Sequence, residues 1–530
     1  MKNVTEKKYF YLMLILFFIL CGISFFRYPD LRNEMKYFVV LSEMLQNKEY
    51  LILSYLGELY PDKPPLYFWI LGVIKAVFDK EIYPVALILA GIIPLYIEAI
   101  LLKKIFKTYL VPLIFLTLSF SSGASLVLRM DTLMSMFITV AIVNFYLAYE
   151  EYKLYPEKDV ELKYFLLIFI SIGLAILVKG GGGAVVPLLT IIFFTYLNKE
   201  RDFLKKLKIK KGILIVISIV LIWFISIYFS KNGKEYLSLM LGKQTVGRVV
   251  NSYAHKRPIF YYLKNIFLTT MPFGIPFLTG IALYLKDFKN VKGWNSLEKL
   301  SIAWIIPSFI FFSFISGKLD IYLLPIYPGI AGLIYCFYNR KEWRKYFEKS
   351  LFITYILLIL GVAALIAVSN ISKYNLSFLC KGMVIVLFLV TLWFFYKLKD
   401  SDGKNRGISN ISVVFIMLLS VAFYESRDFN ENYTIKPLQS YMVDIAKNKN
   451  KNVVLFRFED GVNFLETLDV PYKKYKEVSE FKDDIEKNRD IVIIVREKDV
   501  KKLKDLEKNS NYEVLFKNYS FYLIEIKRVN

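Results

Sequence analysis

The feature that most constrains this sequence is a repeated pattern of apolar runs, each long enough to cross a lipid bilayer as a helix. A spanning α-helix needs about 20 mostly apolar residues, and 56% of the 530 residues are hydrophobic. A soluble core does not require that much apolar surface, so the composition predicts an α-helical polytopic membrane protein. We place about thirteen spans near residues 9–26, 82–101, 108–128, 131–149, 162–178, 184–197, 212–230, 265–285, 301–316, 321–337, 351–369, 379–396 and 411–424.

The first apolar run and a short run near residue 70 decide the predicted orientation. The run 9–26 follows three lysines and has no convincing small-residue cleavage site, so we interpret it as a retained helix with a cytoplasmic N-terminus. The run 66–78 is short, follows Pro64-Pro65 and carries Lys75, and we interpret it as an amphipathic helix along the membrane surface. If it spanned, the later basic loops would face outward, against the positive-inside rule.

This orientation gathers the unusual polar motifs on the outer face. The outward segments are 27–81, the junctions near Asp131 and Lys179, the loop 231–264, the junction near Lys318 and the C-terminal region.

The C-terminal part of the chain has a different composition. Short β-rich runs alternate with charged, helix-like stretches after the last span, which is typical of a small α/β domain. We therefore predict a membrane domain, 1–424, and an extracytoplasmic α/β domain, 425–530. The predicted strands lie at 453–457, 491–495, 512–516 and 521–526.

Charge and cysteine content exclude two other classes. The formal charge of +23 comes from cations clustered in short loops between apolar runs, not in one continuous stripe, so it does not indicate nucleic-acid binding. The three cysteines lie far apart, in or beside apolar segments, and have neither metal-ligand nor disulfide spacing.

Two motifs in the first outer segment carry chemistry. Asn33 and Glu34 open it, and a carboxylate beside a membrane can act as a general base, although Glu34 can equally solvate a loop helix. In Asp62-Lys63-Pro64-Pro65 the prolines restrict the backbone, which holds the Lys63 ammonium in a defined direction. A fixed ammonium at the bilayer surface suits a lipid phosphate, and a snorkelling lysine is the alternative.

Two helix junctions are also candidates. Asp131 is an isolated carboxylate after Arg129, placed either for function or as a helix N-cap. Lys179 precedes four glycines, which let backbone amides approach an anion or simply form a flexible helical hairpin.

The remaining candidates lie in the second half of the membrane domain. The loop 244–262 contains Arg248 and the only histidine, His255. With Asp62 and Asp131 on the same predicted face, His255 could complete a site for a divalent cation such as zinc. Lys318, followed by Asp320 and Tyr322, suits a phosphate pocket or an interfacial anchor.

As a set, these motifs resemble the polytopic glycosyltransferases of the GT-C fold that use lipid-phosphate sugars. Among these, the chain resembles the lipid A aminoarabinose transferases, which are related to the protein O-mannosyltransferases. The resemblance covers residues of about 30 to 330. The matching stretches are Asn33 to Tyr37 with Glu43 to Leu45, Tyr60 to Trp69, Arg129 to Asp131, Val178 to Gly180, Arg248 with His255 and Pro258, and Ser316 to Pro328.

The resemblance implies the fold, the reaction and the roles of the motifs. A sugar on a polyprenyl phosphate, such as undecaprenyl phosphate, would pass to an acceptor on the outer face of the cytoplasmic membrane. The leading acceptors are lipid A and other envelope glycans, and protein is the next. Cations, with or without a metal, would stabilise the departing phosphate. The candidate catalytic residues are Asn33, Glu34, Asp62 and Asp131, and the candidate phosphate-binding residues are Lys63, Lys179, Arg248, Lys318 and Tyr322.

One departure from the family pattern bears on the mechanism. Members usually carry Asp-Glu where this chain has Asn33-Glu34, and an asparagine cannot accept a proton at neutral pH. Either another carboxylate takes the role, the acceptor is already ionised, or this copy is inactive. A transporter of lipids or glycans is the alternative from another class, although such proteins place polar residues at the bilayer midplane within inverted repeats, and no repeat is visible here.

Overall fold

The computed structural model describes residues 2–78, 82–242, 256–369, 376–447, 452–481, 491–503 and 511–527. Within these ranges, ten helices are long and apolar enough to cross a membrane, which confirms a multi-pass membrane protein. They are Val4–Phe26, Ile82–Phe106, Met130–Leu154, Leu162–Lys179, Ile209–Tyr228, Ser296–Phe314, Asp320–Asn339, Lys341–Val368, Phe378–Lys397 and Gly407–Tyr433.

Shorter helices connect and cover these long ones. The α-helices among them are Glu34–Gln46, Leu66–Val77, Leu110–Thr117, Ser119–Ser125, Gly182–Asn198, Arg201–Lys206, Gly233–Leu239, Tyr261–Thr269, Gly274–Lys286, Ser401–Asn405, Leu438–Lys447 and Gly461–Thr467. The separate 3₁₀ turns are Phe288–Gly293, Val478–Phe481 and Glu497–Leu503.

Two of the predicted spans are each broken into two helices, for identifiable reasons. The span predicted at 108–128 divides at Leu118, which has an extended backbone (ψ 121°). The segment after it is rich in serine, whose hydroxyls compete for backbone groups, and Ser122 donates to the carbonyl of Leu116. The span predicted at 265–285 divides before Gly274, where Pro272 supplies no N–H to continue the helix.

The helix Leu66–Val77 fits the predicted position along the membrane surface. Its 12 residues give a length of about 18 Å, too short for a hydrocarbon core of about 30 Å. Phe68 and Leu71 are fully buried, whereas Val73 and Val77 are each 67% exposed. One face therefore packs on protein while the other is left for an apolar environment.

The chain separates into two compact units. The membrane unit comprises Met1–Ser24, Glu49–Ser54 and Leu59–Ala422. The C-terminal unit comprises Phe25–Lys48, Tyr55–Glu58 and Phe423–Asn530, so it includes residues 27–48 and 55–58 of the first predicted outer segment.

Within the membrane unit, burial distinguishes central from peripheral helices. The most apolar window of Met130–Leu154 is 83% buried against protein, whereas that of Ile209–Tyr228 is 17% buried. The helix that begins beside Asp131 is therefore at the centre of the helix bundle.

The C-terminal unit contains a five-stranded sheet with the order β4-β3-β5-β7-β6. Strand β3 pairs in parallel with β4 and β5, and β7 pairs antiparallel with β5 and β6. A two-residue hairpin, β1 and β2, precedes it. The strands are Ser54–Tyr55 (β1), Glu58–Leu59 (β2), Asn452–Phe456 (β3), Tyr472–Tyr475 (β4), Ile491–Arg496 (β5), Asn511–Lys517 (β6) and Phe521–Lys527 (β7).

Both faces of this sheet are covered. Leu455 and Ile494 project into a cluster with residues of Leu438–Lys447 and Gly461–Thr467. Val454 and Ile493 project into the opposite cluster, which includes Leu503. Because both faces of β3 and β5 are buried, these strands are apolar over most of their length and do not alternate with polar residues. Sequence analysis did not predict β4, because its Tyr-Lys-Lys-Tyr run is only partly buried.

Candidate active site

A buried ion cluster lies where two central helices of the membrane unit meet. Asp131 is in the first turn of Met130–Leu154 and its side chain is 1% exposed. Lys179, the last residue of Leu162–Lys179, donates to Asp131 Oδ1, and Arg129 Nε donates to Oδ2 at 3.1 Å. Two cations therefore share the Asp131 carboxylate at the outer ends predicted for these helices.

Tyr322 is the next neighbour of this ion cluster. The Lys179 ammonium lies 4.6 Å from the centroid of the Tyr322 ring. Such a cation–π contact orients the ammonium while leaving hydrogen-bond donors for other groups. Three of the predicted site residues, Asp131, Lys179 and Tyr322, are therefore in direct contact.

The junction that carries Tyr322 is held by several side chains. Lys318 is 2% exposed, and its ammonium donates to the carbonyls of Ile315 and Arg257, the latter at 3.1 Å. Burial lowers the pKa of Lys318. This geometry favours a role for Lys318 in shaping the junction, because two of its three donors already serve backbone carbonyls.

Asp320 anchors the same junction to the helix Tyr261–Thr269. The hydroxyl of Tyr261 and the amide of Asn265 both donate to its carboxylate at 3.0 Å. Sequence analysis did not select Asn265. The available signal was its i,i+4 spacing from Tyr261, which places both polar groups on one helix face.

Asp62 and Lys63 lie in a half-buried turn elsewhere in the membrane unit. The hydroxyl of Tyr236 donates to the carbonyl of Tyr60 at 3.1 Å, just before this turn. Burial, with a smaller contribution from Asp62, raises the pKa of Tyr236. Tyr236 packs in one apolar cluster with Leu177, two residues before Lys179, so the turn is anchored next to the end of the Lys179 helix. Sequence analysis missed Tyr236.

The glycines after Lys179 differ in whether the structure would accept a side chain at their positions. Gly180 has a φ of 87°, a backbone conformation that favours glycine. A side chain at Gly183 would clash with the backbone of Ala175, whereas one at Gly181 would meet open space. The run therefore permits a tight helical hairpin.

Asn33 and Glu34 belong to the C-terminal unit. Glu34 is fully buried, and Arg27 donates two hydrogen bonds of 2.7 and 2.8 Å to its carboxylate. The exposed Asn33 donates its side-chain amide to Asp30 at 3.1 Å. A buried, doubly hydrogen-bonded carboxylate is poorly placed to accept a substrate proton, so this geometry favours a structural role for Glu34.

Arg248 and His255 lie outside the described residues. In the described ranges, no group of three His, Cys, Asp or Glu side chains is placed to hold a metal ion. Both oxygens of Asp131 already contact cations, so this carboxylate does not fit a divalent cation. The proposed metal set of Asp62, Asp131 and His255 therefore gains no support from Asp131.

A further buried carboxylate escaped sequence analysis. Glu98 lies within Ile82–Phe106, where its Oε2 accepts hydrogen bonds from Ser135 at 2.9 Å and Thr139 at 2.7 Å. Its Oε1 has no hydrogen-bond partner among the residues that the structure describes. A single acid in an apolar run was the available signal.

Comparison with known proteins finds similar sequences among membrane glycosyltransferases. A profile described as dolichyl-phosphate-mannose-protein mannosyltransferase matches residues 62–225, which include Asp131 and Lys179. An undecaprenyl phosphate-alpha-4-amino-4-deoxy-L-arabinose arabinosyl transferase from Wigglesworthia glossinidia brevipalpis is 26% identical over 79% of this chain and 76% of its own length. An uncharacterised protein of Aquifex aeolicus is 27% identical over 67% of this chain and 68% of its own.

Solved structures agree on the fold. The crystal structure of ArnT from Cupriavidus metallidurans bound to undecaprenyl phosphate has a TM-score of 0.72, with 15% identity and 97% of each chain covered. The chain therefore has the fold of this GT-C structure. The oligosaccharyltransferase of Archaeoglobus fulgidus has a TM-score of 0.52 at 12% identity, covering 92% of this chain and 69% of its own, which is consistent with the wider GT-C fold.

The ion cluster of Arg129, Asp131 and Lys179 has a geometry suited to an anion. Asp131 pairs with both cations and so holds them in place. Cations held in place in advance stabilise negative charge without reorganising.

Proposed function

We propose that this chain transfers 4-amino-4-deoxy-L-arabinose from undecaprenyl phosphate to a phosphate group of lipid A. The donor is taken from the name of the Wigglesworthia relative and of similar transferases from Aeromonas. Lipid A is the acceptor that the state of the acidic residues favours. The reaction would take place at the outer face of the cytoplasmic membrane, with the N-terminus inside and the C-terminal unit outside.

One observation carries the choice of acceptor. Glu34 and Asp131 are both buried and ion-paired, and Asn33 stands where the family usually has an aspartate. A hydroxyl acceptor needs a base, whereas a phosphate oxygen is already negatively charged at neutral pH. Because the carboxylates of Glu34 and Asp131 are each paired with cations, a phosphate acceptor is favoured over a hydroxyl.

The reaction then balances without proton transfer. An anionic oxygen of the acceptor phosphate forms a bond to C1 of the sugar, and the bond from C1 to the donor phosphate oxygen breaks. The electron pair leaves with undecaprenyl phosphate. Arg129 and Lys179 would stabilise that departing phosphate, with Lys63 as a further cation and Tyr322 orienting Lys179.

Protein O-glycosylation is the second candidate function. The matching profile is named for protein mannosyl transfer, and it begins at Asp62. Transfer to a serine or threonine hydroxyl would need a base, and the half-buried carboxylate of Asp62 would take that role.

A reconstituted transfer assay distinguishes these functions. The purified protein in liposomes is given the undecaprenyl-phosphate aminosugar with lipid A or with a serine-rich peptide, and products are identified by mass spectrometry. We expect modified lipid A only, with a rate that falls below about pH 6 as the acceptor phosphate changes from a dianion to a less nucleophilic monoanion.

Asn33→Asp tests the reasoning about the base in the same assay. We expect transfer to lipid A to change by less than about threefold, because an exposed carboxylate has little influence on an acceptor that needs no base. A much larger gain, or glycosylation of the peptide instead of lipid A, would refute the proposed acceptor.

A further inference from the structure

The strand order of the C-terminal sheet marks one edge as a place for a ligand. Strand β3 lies between β4 and β5, the two strands that follow it, and is parallel to both. The chain therefore moves from β3 to one side and then returns past it to the other. In open α/β sheets, ligands bind outside the carboxyl ends of the strands where the order reverses in this way.

A cleft of about 1060 Å³ lies at this carboxyl edge. Its lining includes the residues that directly follow β3 and β5, together with the end of β4. All of the lining residues belong to the C-terminal unit. The lining includes Tyr55, Arg457, Asp460, Lys474, Tyr475, Glu477, Arg496 and Lys498.

Arg457 is held at the cleft by an unusual backbone conformation. Its φ of 52° lies in the left-handed region, which residues other than glycine rarely adopt. Its backbone N–H donates to the carbonyl of Tyr475 at 2.9 Å, and its Nε donates to the carbonyl of Lys476 at 2.7 Å. Strained backbone of this kind clusters at ligand sites, where the surrounding structure maintains it.

The charges of the cleft are unevenly paired. Glu477 pairs with Arg457, and Asp460 accepts from Arg496 at 3.1 Å. In contrast, Lys474 and Lys498 line the cleft and make no ion pair with any residue in the described ranges. Two unpaired ammonium groups at one cleft suit an anion with several oxygen acceptors, such as a phosphate.

The other lining groups suit a sugar. Tyr55 and Tyr475 are half-buried aromatic residues at the cleft, and the Tyr55 hydroxyl is fixed by a 2.8 Å hydrogen bond to Asn463. An aromatic face covers the apolar face of a sugar ring. Carboxylates that accept one hydrogen bond keep capacity for more, so Asp460 can also accept from sugar hydroxyls.

We propose that this cleft binds a phosphorylated saccharide headgroup. Phosphate oxygens would contact Lys474 and Lys498, and the sugar ring would lie against Tyr55 and Tyr475. The assignment of this headgroup to the acceptor, lipid A, rests on the proposed function. The binding site itself rests only on the cleft.

Equilibrium binding of glucose 1-phosphate to the detergent-purified full-length chain tests the site. We expect saturable binding, with inorganic phosphate roughly tenfold weaker and glucose weaker still, because each probe lacks one half of the contacts. Lys498→Gln should weaken binding of glucose 1-phosphate roughly tenfold, and Lys498→Arg should largely restore it. Lys517→Gln is the matched control, because Lys517 is exposed on β6 of the same unit and does not line the cleft.

The other outcomes separate the two proposals. Equal binding of phosphate and glucose 1-phosphate would overturn the saccharide part, and unchanged binding by Lys498→Gln and Lys474→Gln would overturn the site. In transfer assays, Lys498→Gln should raise the KM for lipid A and leave kcat unchanged. If the wild-type protein binds glucose 1-phosphate but transfers nothing to lipid A, the proposed function fails and the cleft stands. If transfer proceeds and the probe does not bind, the cleft proposal fails alone.

Discussion

Removing the carboxylate of Asp131 should destabilise the membrane unit more than removing either of its neighbouring cations. The Asp131 side chain is 1% exposed, and its partners Lys179 and Arg129 are 11% and 19% exposed. Asp131→Asn leaves two poorly solvated cations side by side without the carboxylate that they share. Breaking a buried ion pair from one side costs about 3–5 kcal/mol.

We expect Lys179→Met to reduce stability less than Asp131→Asn does. Asp131 still pairs with Arg129 at 3.1 Å, so no charge is left alone, and we expect a loss of about 1–3 kcal/mol. The double variant Asp131→Asn/Lys179→Met also removes Lys179, one of the two cations that lose Asp131. The decrease in its free energy of unfolding should therefore be smaller than the sum of the two single decreases by about 2 kcal/mol.

Thermal melting of the purified protein, followed by tryptophan fluorescence, measures this cycle. We expect Asp131→Asn to lower Tm by roughly 3–5 °C, since each kcal/mol shifts Tm by only about 1 °C in a chain of this length. Asp202→Asn is the matched control, because Asp202 forms an exposed pair with Lys205 and its loss should leave Tm unchanged. Additive losses within about 0.5 kcal/mol, or an unchanged Tm in Asp131→Asn, would show that the ion cluster is not coupled.

Three further predictions follow from the same structure. Arg27→Gln should destabilise the protein by about 3 kcal/mol and more than Glu34→Gln, because the first takes the guanidinium from a fully buried carboxylate and the second takes the carboxylate from a partly exposed cation; equal Tm values would contradict this. Gly183→Ala should cost about 1–3 kcal/mol through its clash with backbone, whereas Gly181→Ala should be neutral or slightly stabilising, as melting curves of the pair will show. Lys63→Ala should lower transfer at least tenfold without changing Tm, and near-normal turnover would remove Lys63 from the phosphate site.

Much of the membrane architecture was predictable because it depends on local composition. The long apolar runs identify ten of the predicted spans directly, and the short run after Pro65 was correctly separated from them. Hydrophobicity over about 20 residues is a property of a sequence window, so it needs no tertiary information. The breaks at Leu118 and before Gly274 were missed, because both segments remain apolar on average while serine or proline interrupts the backbone pattern.

The candidate residues were also visible in the sequence, but their partners were not. Asp131 and Lys179 are 48 positions apart, and nothing in either motif indicates that one neutralises the other. The sequence alone indicates Glu34 as a candidate base. In the structure, Arg27 donates to both of its carboxylate oxygens, which favours a structural role. The role of a charged group depends on what lies within a few ångströms, and only the fold sets that distance.

The sequence by itself determined that this chain is a membrane protein of helical spans with an α/β region at its end, because lipid selects for apolar length and a sheet for alternating burial. Tertiary structure alone decided that residues 25–48 join the C-terminal unit and that β4 flanks β3. It also decided which acids are neutralised. These outcomes depend on contacts between distant segments, whose energies have no counterpart in any local stretch of sequence.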